Sequence, residues 1–235
     1  MQSWDAINRL GLYSLKDVNP ADAAAVFAVA KSETEDRQII DRRRRNLRER
    51  RMLASSKDMG NATLLTRLPL GKDMVAIGSM DDLSHMFHCF EVSEERARSN
   101  PVGPPRLAEE FRGFRAHGGR FPDGEWVQPV WAGLPMGDHQ APDFAQESHL
   151  GVLRSGGGMK DEETMSLLRI MPHPASMYFE GLIYDDHLGV QLLPRHLRRC
   201  SSAVRACRFV VPRQAQDGPR MGLFVPHAFA SSPLG

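Results

Sequence analysis

Apolar and polar positions alternate along YFEGLIYDDHLGVQLL (178–193), on both sides of two adjacent aspartates, Asp185 and Asp186. A period of two marks half-buried strands, so this segment predicts a β-hairpin with its acids at the turn. The mostly apolar MVAIGSM (74–80) predicts a second strand, one that delivers Asp81 and Asp82 to its C-terminal end. Ile39 and Ile40, set between polar neighbours, predict a short buried strand leading into a basic stretch. WVQPVWAGLPMG (126–137) reads as a strand closed by a Pro/Gly turn, with Trp126 and Trp131 as core positions ahead of template-stacking ones. Pro142 opens a helix, PDFAQESHLGVLR, that Ser155 and Gly156 to Gly158 bring to an end. Asn19-Pro20 followed by ADAAAVFAVAK predicts a capped, alanine-rich helix with a packing role. Residues 99–125 give loop signals, and no strong period follows Pro194.

Composition changes this picture little. Apolar residues make up 41% and charged residues 25%, ordinary for a chain of 235 residues with a real core. The formal net charge is +1, so attraction to nucleic acid has to come from a local patch. RQIIDRRRRNLRERR (37–51) is such a patch. Three cysteines without CxxC spacing exclude a disulfide framework and a cysteine-rich zinc site. His85, His88 and Cys89 lack the complementary pair that a zinc finger needs. No apolar run reaches the roughly 18 residues of a membrane span. An intracellular protein with no membrane partner is the expectation.

The acids carry the chemistry. Two-metal nucleotidyl transfer needs carboxylates on adjoining strand ends, with an open face for substrate. Mg²⁺ suits such a site because it prefers hard oxygen ligands. This chain offers Asp81-Asp82 after one apolar segment and Asp185-Asp186 inside another. His187, directly after the second pair, reads as a surface residue of the hairpin.

Taken in order, four segments resemble the conserved blocks of retroelement reverse transcriptases. RQIIDRRRRN (37–46) resembles the fingers strand, and DDLSHMFHCFEVSEERARSN (81–100) the first palm motif. The aromatic at Phe87 selects Asp82 rather than Asp81 as that motif's acid. LPMGDHQAPDFAQ (134–146) resembles the second palm motif through its Leu-Pro-x-Gly turn, Pro142 and Gln146. GLIYDDHLGVQ (181–191) resembles the Asp-Asp hairpin.

The resemblance implies an α+β fold: a right-hand polymerase fingers and palm, its antiparallel palm sheet of about four strands backed by helices. Residues 1–34 would be a helical segment, 35–192 the fingers and palm, and 193–235 a divergent tail that looks disordered, with the thumb missing. The implied activity is RNA-directed DNA polymerase, a nucleotidyltransferase of retrotransposon type. It would act on an RNA or DNA template with its primer and on deoxynucleoside triphosphates, using two Mg²⁺ ions or Mn²⁺. By position, Asp82, Asp185 and Asp186 would be catalytic and hold the metal. Arg37 would reach the triphosphate, Phe87 would lie under the sugar, and Met136 and Gly137 would border the nucleotide pocket. Arg43, Arg45 and Asn46 would contact nucleic acid.

The hairpin departs from the family pattern in having Ile183 two positions before Asp185, where an aromatic is usual. Met136 likewise replaces a polar residue. The alternative reading is therefore a truncated, inactive relic that binds nucleic acid through its arginine-rich face. A two-metal nuclease is a third.

Overall fold

The computed structural model describes residues 1–52 and 55–197. In chain order its helices and strands are α1 (Gln2–Ala6), β1 (Leu10–Ser14), β2 (Ala25–Ala30), β3 (Asp36–Asp41), α2 (Arg43–Asn46) and β4 (Met74–Asp82). There follow α3 (Met86–Cys89), α4 (Glu94–Arg98), β5 (Arg106–Leu107), β6 (Trp126–Trp131), α5 (Ala141–Ser155), β7 (Tyr178–Ile183) and β8 (Asp186–Pro194). Every strand pairing within the three sheets is antiparallel, so the α+β class holds. The chain forms two compact units: Met1–Arg51 with Phe87–Ala141, and Met52–Met86 with the segment from Pro142 on.

In the first unit β6 is the central strand between β1 and β5. Leu10, Leu12, Ala108, Phe111 and Val127 pack together beneath it. Trp131 is buried as expected, whereas Trp126 is 52% exposed. Gln128 is fully buried, and its amide donates to the carbonyls of Val102, Gly103 and Pro129. That satisfies the amide nitrogen, which burial would otherwise penalise, while its Oε1 is buried without a partner among the described residues.

The alanine-rich segment corrects an expectation. Asn19 does cap a helical turn, accepting from Ala21 N at 3.1 Å, but the turn is a 3-10 helix that stops at Asp22. Ala25–Ala30 then runs as strand β2, paired with β3 from Ala25↔Asp41 to Ala30↔Asp36. Alanine exceeds strand formers in helix propensity by only about 0.7 kcal/mol per residue or less, so a complementary partner strand can decide the outcome. Val26, Phe27 and Val29 meet Ile40, Ile39 and Arg37 across that ladder. Residues 1–34 therefore contribute two strands and are not a helical segment. Ile40 is buried, as its pattern predicted.

The second unit is built on the sheet β4-β8-β7. Among the described residues this sheet has three strands rather than about four. Phe179, Val190 and Leu192 pack with Leu64 and Met165, and Leu182 packs with Leu153 of α5 and Met159. Helix α5 ends as predicted: Gly157 takes φ +86°, and Gly158 N donates back to Leu153 O at 2.9 Å. A left-handed residue at a helix end favours glycine because it has no Cβ to clash. No helix among the described residues is long and apolar enough to cross a membrane. Strand β8 runs on through Pro194, and the tail expected from 193 lies outside the described residues after Leu197.

Candidate active site

The second unit brings the predicted acids together at one end of its sheet. Strands β7 and β8 form a tight hairpin in which Ile183 pairs with Asp186, leaving Tyr184 and Asp185 as the turn. Tyr184 adopts φ +53°, an uncommon conformation for a residue with a Cβ. Two side chains of α5, three residues apart and so on one helix face, hold it there. Gln146 Oε1 accepts from Tyr184 N at 2.8 Å, and the Gln146 amide donates to Leu182 O at 3.2 Å. His149 Nδ1 lies 2.7 Å from Tyr184 O. A carbonyl only accepts, so Nδ1 carries the proton. Burial pushes the His149 imidazole below its ordinary range, which favours this neutral form.

Across the β4–β8 ladder, Asp82 stands opposite Asp186 and Asp81 opposite His187. Leu83 N donates to Asp185 O at 3.1 Å and carries the pairing one residue further. Side chains alternate across a strand, so Asp82 and Asp186 share one face while Asp81 and His187 share the other. The Asp186 carboxyl is pushed above the usual carboxylate range, by burial first and then by the charges of Asp185 and Asp82. Asp82 and Asp186 are exposed and Asp185 half-buried, and none of the three makes an ion pair among the described residues. Three carboxylates thus lie at one accessible sheet end, and oxygen groups of this kind are what hard divalent cations prefer.

Metal-ligating atoms do converge within 4.8 Å in the first unit, at Glu49, Asp138 and His139. The sheet-end acids are not drawn together to that degree, in keeping with their repulsion. Yet the first-unit carboxylates are already neutralised. Arg42, whose side chain is 1% exposed, forks onto both Glu49 oxygens at 2.9 and 2.8 Å and lies 3.4 Å from Asp138. Its remaining donors reach Asn100 at 2.7 Å and the Ser99 hydroxyl at 2.8 Å. Arg96 bridges Glu49 and Asp138, and Arg45 adds a bond to Glu49 at 2.7 Å. Burial alone would raise the Glu49 carboxyl, but Arg42, Arg96 and Arg45 bring it down to about 2. A cation would have to displace three guanidinium groups, so the cluster reads as an ion-pair network.

This network changes the arginine run. Arg42 is interior, and Arg45 and Arg48 both pair with the buried Asp22. Arg43 is exposed but forks onto Asp41, whose carboxyl its hydrogen bonds hold down at about 2. Asn46, expected on nucleic acid, donates to Gly137 O at 2.8 Å and accepts from Arg42 and from His139 N. Gly137 does permit a close backbone approach, but to the chain itself: a Cβ there would come within 1.9 Å of Ile40 O. Met136 and Phe87 are half-buried. Arg37 is exposed on β3 and makes no ion pair among the described residues.

Several residues of the acids' surroundings escaped sequence reasoning. His187 is buried, not a surface residue, and its Nε2 lies 3.2 Å from Oε1 of the equally buried Glu180. Glu180 Oε2 accepts in turn from Met159 N at 2.5 Å. The period-two pattern could have flagged both, since Glu180, Leu182 and His187 fall on one face. No protein-family model matches the chain, and neither does any curated protein.

Proposed function

We propose that the sheet end of the second unit is a two-metal polymerase site, the RNA-directed DNA polymerase centre that the sequence resemblance implies. The observation that carries this reading is the ladder register, which sets Asp82 of β4 directly against Asp186 with Asp185 beside them in the turn. The sequence blocks that supply these acids lie about a hundred residues apart, and the resemblance selected Asp82 from its pair independently of the register. Bound divalent cations would supply activation of the primer 3′-hydroxyl and neutralisation of the triphosphate and leaving pyrophosphate.

In this reading Asp82 and Asp185 would hold the ions, and Asp186 would support the cluster. The Gln146 and His149 bracket on Tyr184 keeps Asp185 from drifting as the turn flexes. Such preorganisation matters because a charge already oriented costs no rearrangement at the moment of reaction. Arg37 remains the candidate ligand for the deoxynucleotide triphosphate, being exposed and always charged. Phe87 and Met136 keep the nucleotide roles that the resemblance assigns them. Gly137 and Asn46 are better explained by the hydrogen bond and close packing between them and the end of β3. Nucleic-acid binding by a solvated arginine face loses support, because Arg42, Arg43, Arg45 and Arg48 are committed to carboxylates.

A single gel tests the proposal. The purified chain is mixed with a labelled primer, an RNA template, deoxynucleotides and Mg²⁺. Extension that Asp185→Asn abolishes is the expected result. Shortening of the labelled strand would point to a nuclease, and a mobility shift without either product to the relic.

A further inference from the structure

Strand β2 presents an edge that the other described residues leave open. It pairs with β3 alone, in an unbroken ladder from Ala25↔Asp41 to Ala30↔Asp36. Its sequence AVFAVA holds no charge, no proline and no bulge, the devices that normally blunt an edge against another chain. All six residues are exposed, Val26, Phe27 and Val29 among them. Strand β4 is an edge too, but it ends on Asp81 and Asp82.

The direction of its backbone groups is set at both ends. Lys31 N donates to Glu35 O at 2.9 Å, across the turn to β3. Backbone groups alternate sides along a strand, so the odd residues bond β3, while Val26, Ala28 and Ala30 point their N–H and C=O groups outward. Ala24, in the same outward phase, donates to Pro101 O at 2.8 Å and accepts from Gly103 N at 3.1 Å, which closes the edge at that end. The side-chain faces differ as well. Val26 stands opposite the buried Ile40, and Ala28 opposite Gln38, whose Oε1 accepts from Trp4 Nε1 at 2.8 Å, so the even face rests on the unit's own core. Phe27 and Val29 lie on the other face, 48% and 46% exposed.

We infer that β2 pairs edge to edge with β2 of a second copy of this chain, making a four-stranded antiparallel sheet about a two-fold axis at Ala28. A two-fold normal to the sheet brings residues of like phase together, and the Ala24 bonds stop a partner strand from reaching past Val26. The longest register that meets both conditions sets Val26 opposite the partner's Ala30, Phe27 opposite the partner's Val29, and Ala28 opposite the partner's Ala28. Its ladder carries about six hydrogen bonds. Each Phe27 falls at a closely spaced, non-hydrogen-bonded position beside a valine, an aromatic–β-branched pair that favours association. No charge meets another, because the first charged residue, Lys31, lies beyond the paired span. So short an interface falls below the roughly 1,200 Å² of a standard stable complex, which makes the dimer a reversible one formed at high concentration. The pairing is independent of the acids of the second unit.

Sedimentation velocity and amide hydrogen exchange on the full chain, from low micromolar to near-millimolar concentration, test the pairing. The wild type should shift from monomer to dimer. Over the same range the amides of Val26, Ala28 and Ala30 should slow about tenfold, as groups newly bonded across an interface do. Ala28→Pro removes an N–H that points outward, so it spares the β2–β3 ladder and deletes the bonds at the axis. That variant should stay monomeric throughout, with the Phe27 and Val29 amides exchanging as in the wild type. Should it fail to fold, Ala28→Lys, which sets two ammonium groups against each other across the axis, should abolish the dimer equally. A wild type that is monomeric at every concentration would overturn the pairing. So would a dimer whose new protection falls elsewhere than on these three amides, or one that survives the substitution at Ala28.

Discussion

The two units each gather carboxylates, and they treat them in opposite ways. In the first, Glu49 and Asp138 lie among Arg42, Arg45 and Arg96, and Glu49 stays ionised down to about pH 2. In the second, Asp82, Asp185 and Asp186 have no cation of the described chain against them, and Asp186 holds its proton more readily than an isolated carboxyl. A buried charge must be matched within the fold, so the first cluster is saturated and serves the structure. An exposed charge can wait for a partner from solution. Proximity of acids alone points to the tighter group, which is the one the chain's own arginines already fill.

The largest expected effect falls on the saturated cluster. Arg42→Ala leaves two buried carboxylates short of their main counter-charge and should destabilise the first unit by about 3–5 kcal/mol. All three tryptophans, Trp4, Trp126 and Trp131, belong to that unit, so fluorescence-monitored urea unfolding reads it selectively. An unchanged midpoint would mean that the network is ornamental. Gly137→Ala comes next. Its new methyl would overlap the Ile40 carbonyl, and such overpacking costs about 1–3 kcal/mol or more, visible in the same unfolding curve.

Smaller effects of opposite sign should appear in the second unit. Asp186→Asn removes a cross-strand repulsion and should stabilise the sheet end by about 0.2–1 kcal/mol while abolishing extension. Slower amide exchange at the end of β4 would register the gain. Acidification should separate the clusters too. Glu49 has a depressed carboxyl, so its contribution is complete above its ordinary value of 4.5 and is lost as pH falls toward about 2. Asp186 has a raised carboxyl, so its ionised form weakens the fold, and protonation relieves that strain as pH falls toward 3.8. Between neutral pH and about 4.5 the sheet end should therefore tighten while tryptophan fluorescence holds steady. Parallel loss in both would break the contrast.

Periodicity made much of this molecule legible. The hairpin at 178–193, the strand before Asp82, the Trp126–Trp131 strand and the Pro142 helix all stand where pattern and turn chemistry set them. Those signals are local, and each is reinforced by burial on a defined face. Strand β2 was not legible, because its preference for extended structure comes from β3, a partner that composition does not reveal. The arginine run misled for a similar reason. Arg42, Arg45 and Arg48 look solvated in sequence, since the acids that absorb them, Asp22, Glu49 and Asp138, are scattered over more than a hundred residues. At the acids the sequence named Asp82, Asp185 and Asp186. It named Gln146 only within a motif and His187 as a surface residue. It did not show that Gln146 and His149 bond the Tyr184 backbone, or that His187 pairs with Glu180 in the interior. Those contacts exist only once the helix and the sheet have packed.

The central claim is that Asp82, and not its neighbour Asp81, belongs with Asp185 and Asp186 in a metal-binding centre. Primer extension by Asp82→Asn and Asp81→Asn, measured side by side at saturating Mg²⁺, tests it most directly. The account predicts a loss of at least about a hundredfold for Asp82→Asn, as for removal of a group that stabilises the transition state electrostatically. It predicts that Asp81→Asn stays within about threefold of the wild type, because Asp81 lies on the opposite face of β4 from Asp82. Equal losses, or the larger loss at Asp81, would contradict it.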